Sequence, residues 1–132
     1  MNAGDVFLIK NQYGVFHSFV VISDPKQLDD IRFPEYVFLV MLSSFETYKD
    51  DSCILRAGDH PSITHDTVVV YKVPPAIFRQ LSSLEKLQED GVLKKKAPVM
   101  PVVLEKLRQG YQTSRYCKDD IAQFLFRQGV ID

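Results

Sequence analysis

Tyr36-Val37-Phe38-Leu39-Val40-Met41-Leu42 is the stretch that decides the fold class. Successive side chains of a strand point to opposite faces, so this run is apolar on both. A half-exposed strand alternates apolar and polar residues; one that does not alternate reads as central and covered on both sides. Ser43 and Ser44 end the run.

Working outward toward the N-terminus, Asp5-Val6-Phe7-Leu8-Ile9-Lys10 and Val15-Phe16-His17-Ser18-Phe19-Val20-Val21-Ile22 are strand-like. The turn residues Asn11 and Gly14 lie between them, which predicts an antiparallel hairpin. Residues 23–35 form a polar connection with Pro25 and Pro34, carrying one helical turn at Lys26–Ile31. Toward the C-terminus, Cys53-Ile54-Leu55-Arg56 is a shorter strand. Thr67-Val68-Val69-Val70-Tyr71-Lys72-Val73 is the last, closed by Pro74-Pro75. The connections are too short for repeated crossover helices, so antiparallel pairing is expected, in a small barrel or coiled sheet.

From residue 76 the period changes. Ile77, Leu81, Leu84 and Leu87 recur at helical spacing up to Gly91. Pro101 opens a second helix with Leu104, Leu107 and Tyr111 on its stripe, ending near Gly110. Asp119 and Asp120 suit the first turn of a third, with Ile121, Phe124 and Leu125 inward and Gly129 beyond its end. The expectation is α+β: a β domain over residues 1–76 and a helical extension over 77–132 packed on it. Lys94-Lys95-Lys96 reads as a solvated charge run in the loop between helices.

The 132 residues suit a single domain or one with an appendage. A hydrophobic share of 45% and a charged share of 25% are those of an ordinary globular chain. No apolar run approaches the roughly 20 residues of a membrane span. The start, Met1-Asn2-Ala3-Gly4-Asp5, lacks a basic signal-peptide opening, so the cytoplasm is the expected compartment. Cys53 and Cys117 stand alone without CxxC spacing and read as reduced, structural thiols. A net charge of −1 argues against a general basic attraction to nucleic acid. It leaves room for a local cluster that grips a few phosphates. No phosphate-cradling glycine motif and no GxSxG elbow is present, so no cofactor is expected, and nucleotide or serine hydrolase chemistry is disfavoured.

Chemistry concentrates in Ala57-Gly58-Asp59-His60-Pro61-Ser62-Ile63-Thr64-His65-Asp66. The five-residue offset of His60 and His65 puts them on opposite faces of a strand and misses the helical repeat. A bent loop around Pro61 would bring both to one ligand. Histidine, titrating near pH 6.5, can take a proton in one copy and give it in the other. Transesterification of an RNA phosphodiester needs that pair of transfers. Arg56 or Lys72 would steady the phosphate, with Ser43 and Ser44 contributing hydroxyls, and Asp59 or Asp66 would orient an imidazole. The competing reading is a plain turn, with Asp59 capping and His65-Asp66 starting a strand. His17, alternating with Val15 and Phe19, reads as a hydrogen-bonded structural histidine.

Taken together, the β half resembles the MazF/PemK family of toxin endoribonucleases over residues 4–76. The likeness runs through Gly4-Asp5-Val6, His17-Ser18-Phe19-Val20-Val21-Ile22-Ser23, Val37-Phe38-Leu39-Val40-Met41-Leu42-Ser43-Ser44 and Asp66-Thr67-Val68-Val69-Val70-Tyr71. It implies an SH3-like barrel, a homodimer, single-stranded RNA as substrate, metal-independent cleavage and a cognate antitoxin. The family's catalytic arginine has no counterpart, because Phe16 and His17 occupy its place. On this reading His60, His65 and Ser44 are catalytic, Arg56, Lys72 and Ser43 bind phosphate, and Asp59 and Asp66 orient. The alternatives are a non-catalytic protein- or nucleic-acid-binding module, and a metal hydrolase using His60, His65, Asp59 and Asp66.

Overall fold

The apolar runs of the N-terminal half are realised as strands β1 (Val6–Lys10), β2 (Phe16–Val21), β3 (Tyr36–Ser44), β4 (Ile54–Leu55) and β5 (Thr67–Val70). The C-terminal half adds β6 (Ile77–Gln80), α1 (Leu81–Glu89), β7 (Leu93–Lys96), α2 (Pro101–Thr113) and α3 (Asp119–Arg127). The structure is a computed structural model and describes residues 1–24, 35–44, 50–129 and 131. The helical turn expected at Lys26–Ile31 lies outside the described residues.

All pairings are antiparallel, and the sheet runs in the order β4-β5-β3-β2-β1-β7, with β6 also on β3. β2 meets β3 at Leu39–Met41, β5 meets it at Met41–Ser44 and β6 at Tyr36–Leu39. Both β5 and β6 overlap positions that β2 already holds, so they share the opposite edge of β3, one after the other. Between them the chain leaves that edge through Val73-Pro74-Pro75 and returns at Ile77.

The long apolar strand is covered on both sides, as its lack of alternation predicted. Phe38, Val40 and Leu42 face a core with Val6, Val20 and Val69 under Val103, Leu107 and Tyr111 of α2 and Ile121 and Leu125 of α3. Val37, Leu39 and Met41 face a second core with Phe7, Phe19 and Val21 under Leu84 of α1. Among the described residues the sheet ends at β4 on one side and β7 on the other. The fold is therefore α+β, and the expected closed barrel is replaced by an open sheet. Closure hides one face of a sheet inside itself; here helices cover both faces of the central strand β3, which removes the reason to close.

Two local expectations are corrected. Lys94-Lys95-Lys96 is strand β7, paired with β1 from Leu93–Ile9 to Lys96–Val6. Ile77, expected on a helix, belongs to β6 and sits opposite Leu39. The expected boundary at residue 76 thus falls inside one sheet. α2 begins at Pro101 as expected but runs through Gly110 to Thr113. No described helix is long and apolar enough to cross a membrane.

A carboxylate ties the segment before β4 to the end of α2. Asp50 accepts from the Ser52 backbone N–H at 3.1 Å and the Ser114 hydroxyl at 2.7 Å. Burial pushes its carboxyl up, but the hydrogen bonds from Ser52 and Ser114, with Arg115 nearby, outweigh this and hold it below the usual 3.8. A depressed folded value means that the contribution is present above the unfolded value and lost as pH falls through the folded one. Wild type is therefore expected to exceed Asp50→Asn in stability at neutral pH, with the gap closing below pH 3.8. Denaturant unfolding of both proteins across that range measures it.

Candidate functional site

The segment from Arg56 to Asp66 does bend. The Arg56 N–H donates to the Asp59 carboxylate at 2.8 Å, and the Asp59 N–H donates back to the Arg56 carbonyl at 3.0 Å. Gly58, at φ +96°, supplies a left-handed conformation that L side chains rarely adopt, and its N–H reaches the Ile63 carbonyl.

The bend carries His60 inward, against Ala97 and Ser62. His60 is 4% exposed. Its Nε2 lies 2.6 Å from the Ala97 carbonyl oxygen, which can only accept, so Nε2 carries the proton. Nδ1 is then the acceptor for the Ser62 hydroxyl at 2.7 Å and the Ser62 N–H at 3.2 Å. Both ring nitrogens are committed to the protein, and His60 fastens the loop to the chain after β7. His60→Ala leaves the Ala97 carbonyl and the Ser62 groups without that partner, at a cost of about 2 kcal/mol. Thermal melting and faster amide exchange at Gly58 and Ile63 are the readouts.

The other expected residues disperse. Arg56 pairs with Asp66 on the surface, both more than half exposed. Asp59 has Lys106 of α2 at 4.0 Å. Lys72 is exposed and does not line the cleft described below, whereas His65, Ser43 and Ser44 do. Among the described residues, no group of three or more His, Cys, Asp and Glu side chains is placed to hold a metal ion, so His60, His65, Asp59 and Asp66 do not form such a set.

His65 belongs to an open cleft with a volume of about 1220 Å³. Its position follows from the sheet register. Pairing of β2 with β3 ends at Phe19–Met41. One step further on the same face, the register would set His17 opposite Ser43. β2 stays paired with β1 there, through His17–Ile9 and Phe16–Lys10, while β3 stays paired with β5, through Ser43–Val68 and Ser44–Thr67. The two strands therefore part while each keeps its outer neighbour. The cleft opens between their facing edges. This explains why residues of both alternation classes line it: His17 with Ser18, and Ser43 with Ser44.

The walls are mixed. Phe19, Met41, Pro74 and Ile77 make part of the apolar lining; Lys10, Arg79 and the two imidazoles bring polar and cationic groups. His17 is half-buried. Asn11 Oδ1 accepts from the Tyr13 and Val15 N–H groups at 2.9 and 3.0 Å, which turns Asn11 Nδ2 toward His17 Nε2 at 3.4 Å. An amide nitrogen only donates, so Nε2 is the acceptor, and the neutral ring keeps its proton on Nδ1. His65 is exposed; its Nδ1 lies 3.3 Å from the Thr64 hydroxyl, and its carbonyl accepts from Thr67 Oγ1 at 3.0 Å. The arrangement can hold an extended polar ligand between two titratable rings, with serine hydroxyls between them in the chain's order and cations at the edge.

Sequence pattern alone assigns His17 to structure and does not single out Lys10 or Arg79. The signal for His17 is its position at the end of an alternating strand, opposite serines that end another. No family model, curated protein or solved structure matches this chain.

Proposed function

We propose that the chain is an endoribonuclease acting on single-stranded RNA, and that its acid/base pair is His17 and His65 in the cleft between β2 and β3. The observation that carries the reading is that one cleft is lined by two imidazoles, two serine hydroxyls and the cations Lys10 and Arg79. Cleavage by transesterification needs a base to take the 2′-hydroxyl proton and an acid to protonate the leaving 5′-oxygen. Histidine supplies either role near neutral pH. Lys10 and Arg79 would offset the charge that builds on the phosphoryl oxygens, with Ser43 or Ser44 orienting them.

His60, sealed against Ala97 and Ser62, is left as the fastener of the loop that presents His65. On this reading β1 to β5 are an opened SH3-like unit, extended by β6 and β7 and covered by α1, α2 and α3. A homodimer and a cognate antitoxin that obstructs the cleft belong to the same proposal. The test is incubation of the purified protein with single-stranded RNA in EDTA. Products ending in a 2′,3′-cyclic phosphate support it, and intact RNA at every pH between 5 and 8 leaves a non-catalytic binding module in its place.

A further inference from the structure

The lysine run on β7 acquires a meaning once its register is known. Lys94 stands opposite Leu8 and Lys96 opposite Val6, while Leu8 stands opposite Ser18 and Lys10 opposite Phe16. Directly opposed residues share a face. Lys96, Lys94, Lys10, Leu8, Phe16 and Ser18 therefore lie on the face that carries Val6 and Val20. Lys95 turns to the other face, where its ammonium lies 3.7 Å from the Asp5 carboxylate.

α2 and the segment before it cover the Val6 end of this face, through Val99 and Val103. Beyond them Leu8, Phe16 and Ser18 are only partly buried, and the three lysines are exposed. Among the described residues no carboxylate pairs with Lys10, Lys94 or Lys96, unlike Lys95. Two of these ammonium groups converge on one ring, with Lys94 Nζ 4.9 Å and Lys10 Nζ 5.9 Å from the Phe16 centroid. Lys10, Phe16 and Ser18 also line the cleft, so the face runs into it without a break. Tyr13, 80% exposed, stands at the hairpin tip beside them.

Lysines on an edge strand also discourage sheet-to-sheet association. That role explains their presence on β7; it does not explain the convergence of cations from two strands on a half-buried aromatic at the mouth of a cleft. Unpaired cations beside partly exposed aromatic rings are the combination that holds a single-stranded nucleic acid, the cations tracking phosphates and the rings stacking bases.

We infer that the exposed face of β7, β1 and β2 is a tracking surface for single-stranded RNA, delivering the strand to the cleft. The choice of RNA rests on the endoribonuclease reading; the surface itself does not require cleavage. Lys94, Lys96 and Lys10 contact successive phosphates, and Phe16 and Tyr13 offer stacking faces.

The experiment measures binding apart from cleavage. A fluorescent single-stranded 2′-O-methyl oligonucleotide, which lacks the attacking hydroxyl, is titrated with the full chain and followed by anisotropy over a range of salt. The Lys94→Glu/Lys96→Glu variant is expected to bind at least tenfold more weakly. The slope of log K against log salt falls by roughly 0.7 for each phosphate that is no longer neutralised. Phe16→Leu weakens binding about tenfold while leaving that slope in place. Lys86→Glu, a single charge reversal on α1, leaves binding within about twofold, and melting curves show each variant folded. Equal weakening by Lys86→Glu, an unchanged affinity in the β7 variant, or no binding by wild type overturns the inference. Binding with these effects but no cutting of unmodified RNA sustains the surface and sinks the nuclease reading alone.

Discussion

Gly110→Ala is expected to lose about 3 kcal/mol of unfolding free energy, at the upper end of ordinary overpacking costs, and to melt about 10 °C below wild type. In an exposed helix interior the same change would gain about 1 kcal/mol, because alanine is the better helix former. The sign reverses here because α2 crosses the sheet at its glycine. A Cβ on residue 110 would stand 2.4 Å from the Tyr71 hydroxyl and 2.5 Å from Cys53 Cβ, with the Ser52 carbonyl at 3.2 Å. Tyr71 has no room to yield: it is fully buried, and its hydroxyl donates to the Leu107 carbonyl at 2.6 Å. Cys53 is buried as well, and its Cβ is fixed by the backbone. Tyr71→Phe in the Gly110→Ala background should therefore recover only part of the loss, since the clash with Cys53 persists. Gln109→Ala, one residue away and exposed, serves as the control and stays within about 0.5 kcal/mol of wild type. A Gly110→Ala protein as stable as wild type would show that α2 does not pack this closely.

That glycine also marks where local pattern stops being informative. Read along the chain, Gly110 looks like a helix stop; only the approach of Tyr71 and Cys53, far away in sequence, makes it an interior position. The same division runs through the fold. β1, β2, β3 and β5 are legible because each is a short, strongly apolar run bounded by turn residues, which is a local signal. Ile77 misleads because its spacing to Leu81 and Leu84 fits a helix, while the free edge of β3 beside Leu39 captures it as a strand. Three consecutive lysines carry no strand signal, yet β1 needs a partner on its outer edge and Leu93 anchors one. The two-sided apolarity of β3 already points to helices on both faces, which is the feature that makes closure of a barrel unnecessary.

The site divides in the same way. A bend around Pro61 is readable from Gly58 and the polar residues beside it. The partner that draws His60 inward, the Ala97 carbonyl, lies in a distant segment whose position depends on β7. His17 escapes a reading by pattern because alternation describes the face a residue takes and not the point at which two strands stop pairing. His65, Ser43 and Ser44 keep their place in the proposed site, and His17 replaces His60 as the second imidazole.

Substituting the imidazoles of the cleft is the most demanding check of that exchange. His17→Ala and His65→Ala are each expected to slow RNA cleavage by roughly 10²–10⁴-fold, the usual contribution of a positioned acid or base. Melting temperatures should stay close to wild type: His65 is exposed, and among the described residues the one hydrogen bond His17 makes to a side chain is a long 3.4 Å contact with Asn11. His60→Ala makes the opposite pattern, losing stability while the rate per folded molecule holds. If the pair acts as acid and base, the double variant is little slower than either single one, because a step that needs both transfers is already disabled by the first substitution. The pH profile of kcat/KM adds a signature that a structural histidine would not give: a bell in wild type that loses one limb in each single variant. A His60→Ala protein that is folded but inactive, beside His17→Ala at full rate, would return the chemistry to the buried ring and leave the cleft without a catalytic role.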